Sequence, residues 1–174
     1  MEPLIQMDVF QCASRKDRQE HNSLKAICLA LVESPLDPDF ILFMEDDLVF
    51  NKHLRANLLS WAPMVDALGG FFFGSLYNPH VREVIVRPDY FVAEPGAVYG
   101  SQCFVFSAAM ARFYAAHWWE VEGMQDIKMS RLAARKATLY YHRPSLVQHT
   151  GRQSTWGGHF HQCRDFSADF RRGG

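Results

Sequence analysis

No stretch of this sequence stays apolar for the roughly 20 residues that a membrane-spanning helix needs. The first residues carry Glu2 and Asp8 and no long apolar core, so they do not read as a secretory leader. The expectation is a cytoplasmic protein without a transmembrane segment. Surplus charge is lacking as well: 18 Lys and Arg stand against 19 Asp and Glu. That balance gives no overall attraction toward nucleic acid or an anionic membrane, and it leaves a homo-oligomer open. The four cysteines, Cys12, Cys28, Cys103 and Cys163, share no short paired spacing, so a structural zinc site is not expected. Cys28 and Cys103 sit among apolar neighbours and read as small hydrophobes. Internal repeats and low-complexity linkers are missing too, which makes residues 1–174 one domain, long enough to bury roughly 70% of its unfolded surface.

What is present centres on Phe40-Ile41-Leu42-Phe43-Met44-Glu45-Asp46-Asp47-Leu48-Val49-Phe50. A bulky apolar run of this length reads as a buried strand. Three carboxylates inside it cost several kcal/mol each if desolvated without a counter-charge, so the strand is expected to break there and a cation to answer them. A solvated turn between two strands is the plainer alternative.

Around this stretch the pattern alternates. Met7–Phe10 is a possible first strand and the polar run from Ser14 to His21 a solvated loop or helix start. Leu24, Ile27, Cys28, Leu31 and Val32 mark a helix capped by Asn22 or Ser23. Leu54, Leu58, Trp61, Ala62 and Val65 mark a second, closed by Gly69-Gly70. Phe71–Leu76 is a buried strand, and Glu83–Val86 with Tyr90–Val92 forms an antiparallel excursion on the sheet edge. Cys103–Phe106 is a strand, after which Ser107 caps a helix carrying Met110, Phe113, Tyr114 and Trp118. A further helix opens in the acidic stretch 120–126, and Thr138–Tyr141 and Ser145–Val147 are strands. Residues 151–174 read as a mobile loop or tail. The fold class is α/β, with a ligand site at the carboxyl end of the strand that meets Asp46-Asp47.

Ile41-Leu42-Phe43-Met44-Glu45-Asp46-Asp47, followed in order by Gly100–Ser107, Gln125–Met129 and Pro144-Ser145-Leu146-Val147-Gln148-His149-Thr150-Gly151, resembles the GT-A class of nucleotide-sugar glycosyltransferases. The last segment is similar to a stretch of N-acetylglucosaminyltransferase IV-like enzymes and their microbial relatives. The resemblance implies a GT-A-like, Rossmann-type mixed sheet flanked by helices and shortened at its N-terminus. It also implies a donor that is a nucleotide-diphosphate sugar, a UDP-sugar first, and a carbohydrate or other hydroxyl acceptor. Mn2+ or Mg2+ would be held by Asp47 and His149, with Glu45 and Asp46 acting through water or the ribose hydroxyls. Arg152, Gln153 and Ser154 would close over the phosphates, hinged at Gly157-Gly158. Asp126 is the general base of an inverting transfer or simply a helix cap, and Glu122 is the alternative base. A retaining transfer, a non-catalytic binding protein and a metal-dependent phosphoesterase stay open beside this reading.

Overall fold

The computed structural model describes residues 15–32, 38–96, 98–151, 162, 163 and 165–172. Met7–Phe10 lies outside them, as do Arg152 and Ser154. Eight strands and five α-helices follow one another along the described chain. Six strands, β1 (Phe40–Met44), β3 (Phe73–Ser75), β4 (Glu83–Val86), β5 (Tyr90–Ala93), β6 (Cys103–Ser107) and β7 (Leu139–His142), form a mixed sheet in the order β1-β6-β3-β7-β5-β4. Only β3 and β7 are parallel neighbours; the other pairings are antiparallel. The short strands β2 (Leu48–Phe50) and β8 (Val147–His149) pair with each other in a separate ladder.

Alternation along the central strands sends side chains to two cores. Phe104 and Phe106 of β6, Leu139 and Tyr141 of β7 and Phe91 of β5 join one, under helices α1 (Arg15–Val32), α4 (Ala108–His117) and α5 (Gln125–Ala133). Cys103 and Val105 join the other, with Trp61, Leu76 and Val147, under the short helices α2 (Leu54–Leu59) and α3 (Ala62–Asp66). The period-two switch is the pleat itself. The indole of Trp61, fully buried, lies so close to β3 that a Cβ on Gly74 would come within 2.6 Å of it, so this strand position accepts only glycine. Tyr141 stacks on Phe91 at 4.9 Å, and both Trp118 and Tyr114 are buried, so these aromatics are core.

Several expectations need correction. The acidic strand does break at its carboxylates, but β1 is half-buried, and among the described residues it is an edge strand with β6 as its one ladder partner. Strand order is set by contacts distant in sequence and leaves no mark on the hydrophobic run itself. Among the described residues helix α1 already runs from Arg15, well before Asn22 and Ser23, because the polar run is built mostly of good helix formers. The side chains of Arg15 to Arg18 lie outside the description. The single helix expected from Leu54 to Val65 is two, since Pro63 sits in the first turn of α3 and cannot continue α2. The acidic stretch gives a turn of 3-10 helix at Trp118–Glu120, and α5 begins only after Gly123, at φ 132°.

The stretch read as a mobile tail has no regular element among its described residues, yet 165–172 are fastened. Asn51 Nδ2 donates to the carbonyls of Ser167 and Phe170, Asn57 Nδ2 donates to Phe170 O, and Asn57 Oδ1 accepts from Arg172 N. Arg172 also pairs with Asp89 at 2.8 Å. Phe170 closes over His142, a fully buried imidazole that also meets Trp61 at 5.2 Å. Burial lowers the His142 pKa from 6.5 to about 4; the Pro144 carbonyl, Asp89 and Asp165 act against that shift, and Arg172 acts with it. Its contribution to stability is therefore complete above pH 6.5 and is lost as the pH falls toward 4, because only the unfolded chain takes up the proton in that window. The expected loss is about 3 kcal/mol. Urea unfolding at neutral and mildly acid pH should show it, and His142→Leu should flatten that part of the dependence.

Candidate metal centre

Backbone pairing builds the site. Glu45 N donates to Gln102 O at 3.0 Å, one residue past the β1–β6 ladder, so Gly100–Gln102 runs beside the acidic turn. Three residues on, Leu48 pairs with His149, and the Asp47 carbonyl accepts from both the N–H and the hydroxyl of Thr150 at 2.9 Å each. These two ladders bring the side chains of Glu45, Asp47 and His149 together, with one ligand atom of each within 4.8 Å of the others. His149 Nε2 meets Asp47 Oδ2 at 2.9 Å. A Cβ on Gly151 would strike Asp47 Oδ2 and come within 2.8 Å of His149 Nε2, so a side chain there would push the two donors aside.

The surrounding hydrogen bonds hold the acids in place. Ser101 Oγ donates to Glu45 Oε1 at 2.8 Å and accepts from Gln125 Nε2 at 2.7 Å; Gln125 Oε1 in turn accepts from Ser23 of α1. The preceding residue, Gly100, at φ 85°, donates its N–H to Asp126 Oδ2 at 2.8 Å. Adjacent residues of one loop therefore tie Glu45 and Asp126 together. Burial raises the Glu45 pKa, Ser101 and His149 work against that, and the nearby charges of Asp47 and Asp126 add to it. A carboxyl held in this way gains from a cation more than a solvated one does.

Of the sequence-derived candidates, the fold unites Glu45, Asp47 and His149 and sets Asp126 within their electrostatic reach. Asp46 is exposed at the turn and stands outside the group. Asp126 lies in the first turn of α5, buried, with Oδ1 accepting from Ile127 N. Met124 holds the N-cap position without a side-chain bond, and the Asp126 carboxylate serves a first-turn N–H of α5 while also tying the helix to Gly100. Glu122 is exposed, and only its carbonyl is engaged, by Arg131. Ser101, Gln125 and Gly151 lie in the resembling segments but carry no sequence signal of a role; their small size or amide chemistry gives none until the loop and the helix meet. Burial pushes the Cys103 thiol up to about 12 and Cys163 to about 11, which favours the protonated, weakly nucleophilic form of both.

An oxygen-rich set with one imidazole suits Mn2+ and, with fewer protein ligands, Mg2+. Among the described residues no other group of His, Cys, Asp and Glu has this convergence, and no helix among them is long and apolar enough to cross a membrane. No family model matches the chain, and no curated protein matches it.

Proposed function

We propose that this chain is a metal-dependent glycosyltransferase of the GT-A kind, moving a sugar from a nucleotide-diphosphate donor to an acceptor hydroxyl with inversion. The observation that carries this reading is the convergence of Glu45, Asp47 and His149 at the carboxyl end of β1, with Asp126 bound to the same loop. Asp47 and His149 would hold Mn2+ or Mg2+, and Gly151, with no side chain, leaves both donor atoms uncovered. A divalent ion bound there supplies positive charge to a diphosphate and eases its departure. Glu45, steadied by Ser101, orients the donor side of the site. Asp126 takes the proton from the acceptor hydroxyl: its oxygens accept two backbone N–H groups and keep further lone pairs for that proton. Glu122 remains the alternative base, reached from solvent. A UDP-sugar is the first donor to try.

The same two backbone bonds, with the near-complete burial of Asp126, favour a second reading, a non-catalytic relative that binds nucleotide without turnover. Titration calorimetry with UDP and GDP, each with manganese and with chelator, tests the shared premise: at least one should bind only with metal. Absence of metal-dependent binding to either would overturn both readings. A panel of nucleotide sugars then separates them, since turnover lost in Asp126→Asn with binding retained belongs to the enzyme alone.

A further inference from the structure

Strand β7 divides its two tyrosines between the faces of the sheet. Tyr141 is fully buried in the first core, whereas Tyr140, on the other face, stays partly exposed and lines an open cleft of about 270 Å³. Helix α3 supplies one wall of it with Pro63 and Asp66, and Phe71, Tyr90 and Thr138 continue the lining. The pairings of Phe40 with Ser107 and of Phe73 with Phe106 set Phe71 and Phe72 level with the amino end of β1. The cleft and the metal group therefore lie at opposite ends of the strands.

The aromatic floor is held in place from behind. Tyr140 stacks on Phe72 at 6.1 Å with ring planes 16° apart, and Tyr90 meets Tyr140 edge-on at 5.5 Å and 82°. Phe72 is itself wedged by Trp61 and Phe40, edge-on at 5.6 and 5.7 Å. Two half-exposed rings at right angles make an apolar corner, and around it stand polar groups that the fold does not use. Among the described residues no hydrogen bond or ion pair engages the hydroxyls of Tyr90, Tyr140 and Thr138 or the carboxylate of Asp66. A concave space with apolar walls and a few unspent polar groups is the usual make-up of a ligand site.

Charge narrows the guest. Asp66 is the one charged residue in the lining, so a phosphate or a carboxylate is repelled. Lys136 Nζ, 5.7 Å over the Phe71 ring and 5.3 Å over Phe113, already sets a positive charge beside the cleft, which weighs against an organic cation. A neutral molecule with an apolar face for the tyrosines and hydroxyls for Asp66, Thr138 and the phenols meets both constraints. A pyranose has this form, with C–H groups on one face and hydroxyls around its rim. We propose that the cleft is a saccharide subsite for one neutral sugar ring, separate from the metal group. The proposal does not rest on transferase activity, because none of its residues belongs to that group.

Amide NMR of the full chain tests this, in chelator and without nucleotide, during titration with the methyl glycosides of glucose, galactose, mannose and N-acetylglucosamine. At least one should bind at millimolar concentration and shift the amides of residues 62–67 and 137–140. Asp66→Ala, a change at an exposed position, should weaken that binding about tenfold, the loss of one hydrogen bond to a charged acceptor. Tyr140→Leu should abolish it, and Asp47→Ala should leave it as in wild type. Binding by none of the glycosides, shifts confined to the neighbourhood of Glu45 and Asp47, undiminished affinity in Asp66→Ala, or binding of tetramethylammonium in place of sugar would each overturn the proposal.

Discussion

Asp47→Ala should abolish metal-dependent nucleotide binding and, if the chain turns over a sugar donor, cost about 10²–10³ in rate, the loss expected when one electrostatic partner of a departing group is removed. The substitution is clean for a structural reason. Thr150 holds the Asp47 backbone carbonyl and not its carboxylate, and the side chain is 41% exposed, so β2 and β8 stay paired when it is truncated. Gly151→Ala probes the same site from the other side: its methyl would press on Asp47 Oδ2 and His149 Nε2 and should weaken metal affinity about tenfold or more, in the range seen when groups supporting a metal ligand are altered. Manganese titration followed by electron paramagnetic resonance reads both variants. Undiminished manganese binding in Asp47→Ala would remove the cation from this site.

Lys128→Ala should destabilise the fold by about 3 kcal/mol, toward the low end of the loss expected when one member of a buried ion pair is deleted. Lys128 of α5 meets Glu20 of α1 at 2.9 Å, with side chains 5% and 9% exposed, while its ammonium lies 4.8 Å over the Trp119 ring. The pair itself is not a large net source of stability, because both charges leave water. The double variant Glu20→Gln/Lys128→Met should therefore recover most of the loss in urea unfolding. A single variant as stable as wild type would show that solvent reaches Glu20.

Features with a local cause are the most legible in the sequence. The break of the strand at Glu45–Asp47 follows from the cost of burying three carboxylates, and Ser107 caps α4 through Met110 N because serine at that point leaves the backbone donor little better choice. The hairpin of β4 and β5 at the sheet edge was equally legible from short β-rich runs around Arg87-Pro88. Partners far apart in sequence stayed hidden. Asn51 and Asn57 look like turn and helix residues, and nothing near them announces carbonyls more than a hundred residues on. Lys128 reads as a solvated helix charge until Glu20 is placed beside it. The site divides in the same way: the acidic turn and His149 were visible, whereas the Ser101–Gln125 brace required knowing that α5 starts against the β6 loop.

The separate β2–β8 ladder has a consequence for the order in which the molecule assembles. Asp47 and His149 are 102 positions apart, and they meet only after that long loop has closed, one of the costlier and slower contacts in the chain. Three residue pairs hold the ladder, and it is not part of the six-stranded sheet. Val147 anchors one end of the ribbon in the second core, so fraying would start at its Leu48–His149 end and part the cation group first. An ion bridging Asp47 to His149 would then be a clasp as much as a reagent: by binding only the closed form it would raise the stability of this one corner, and its concentration would set how often the corner opens.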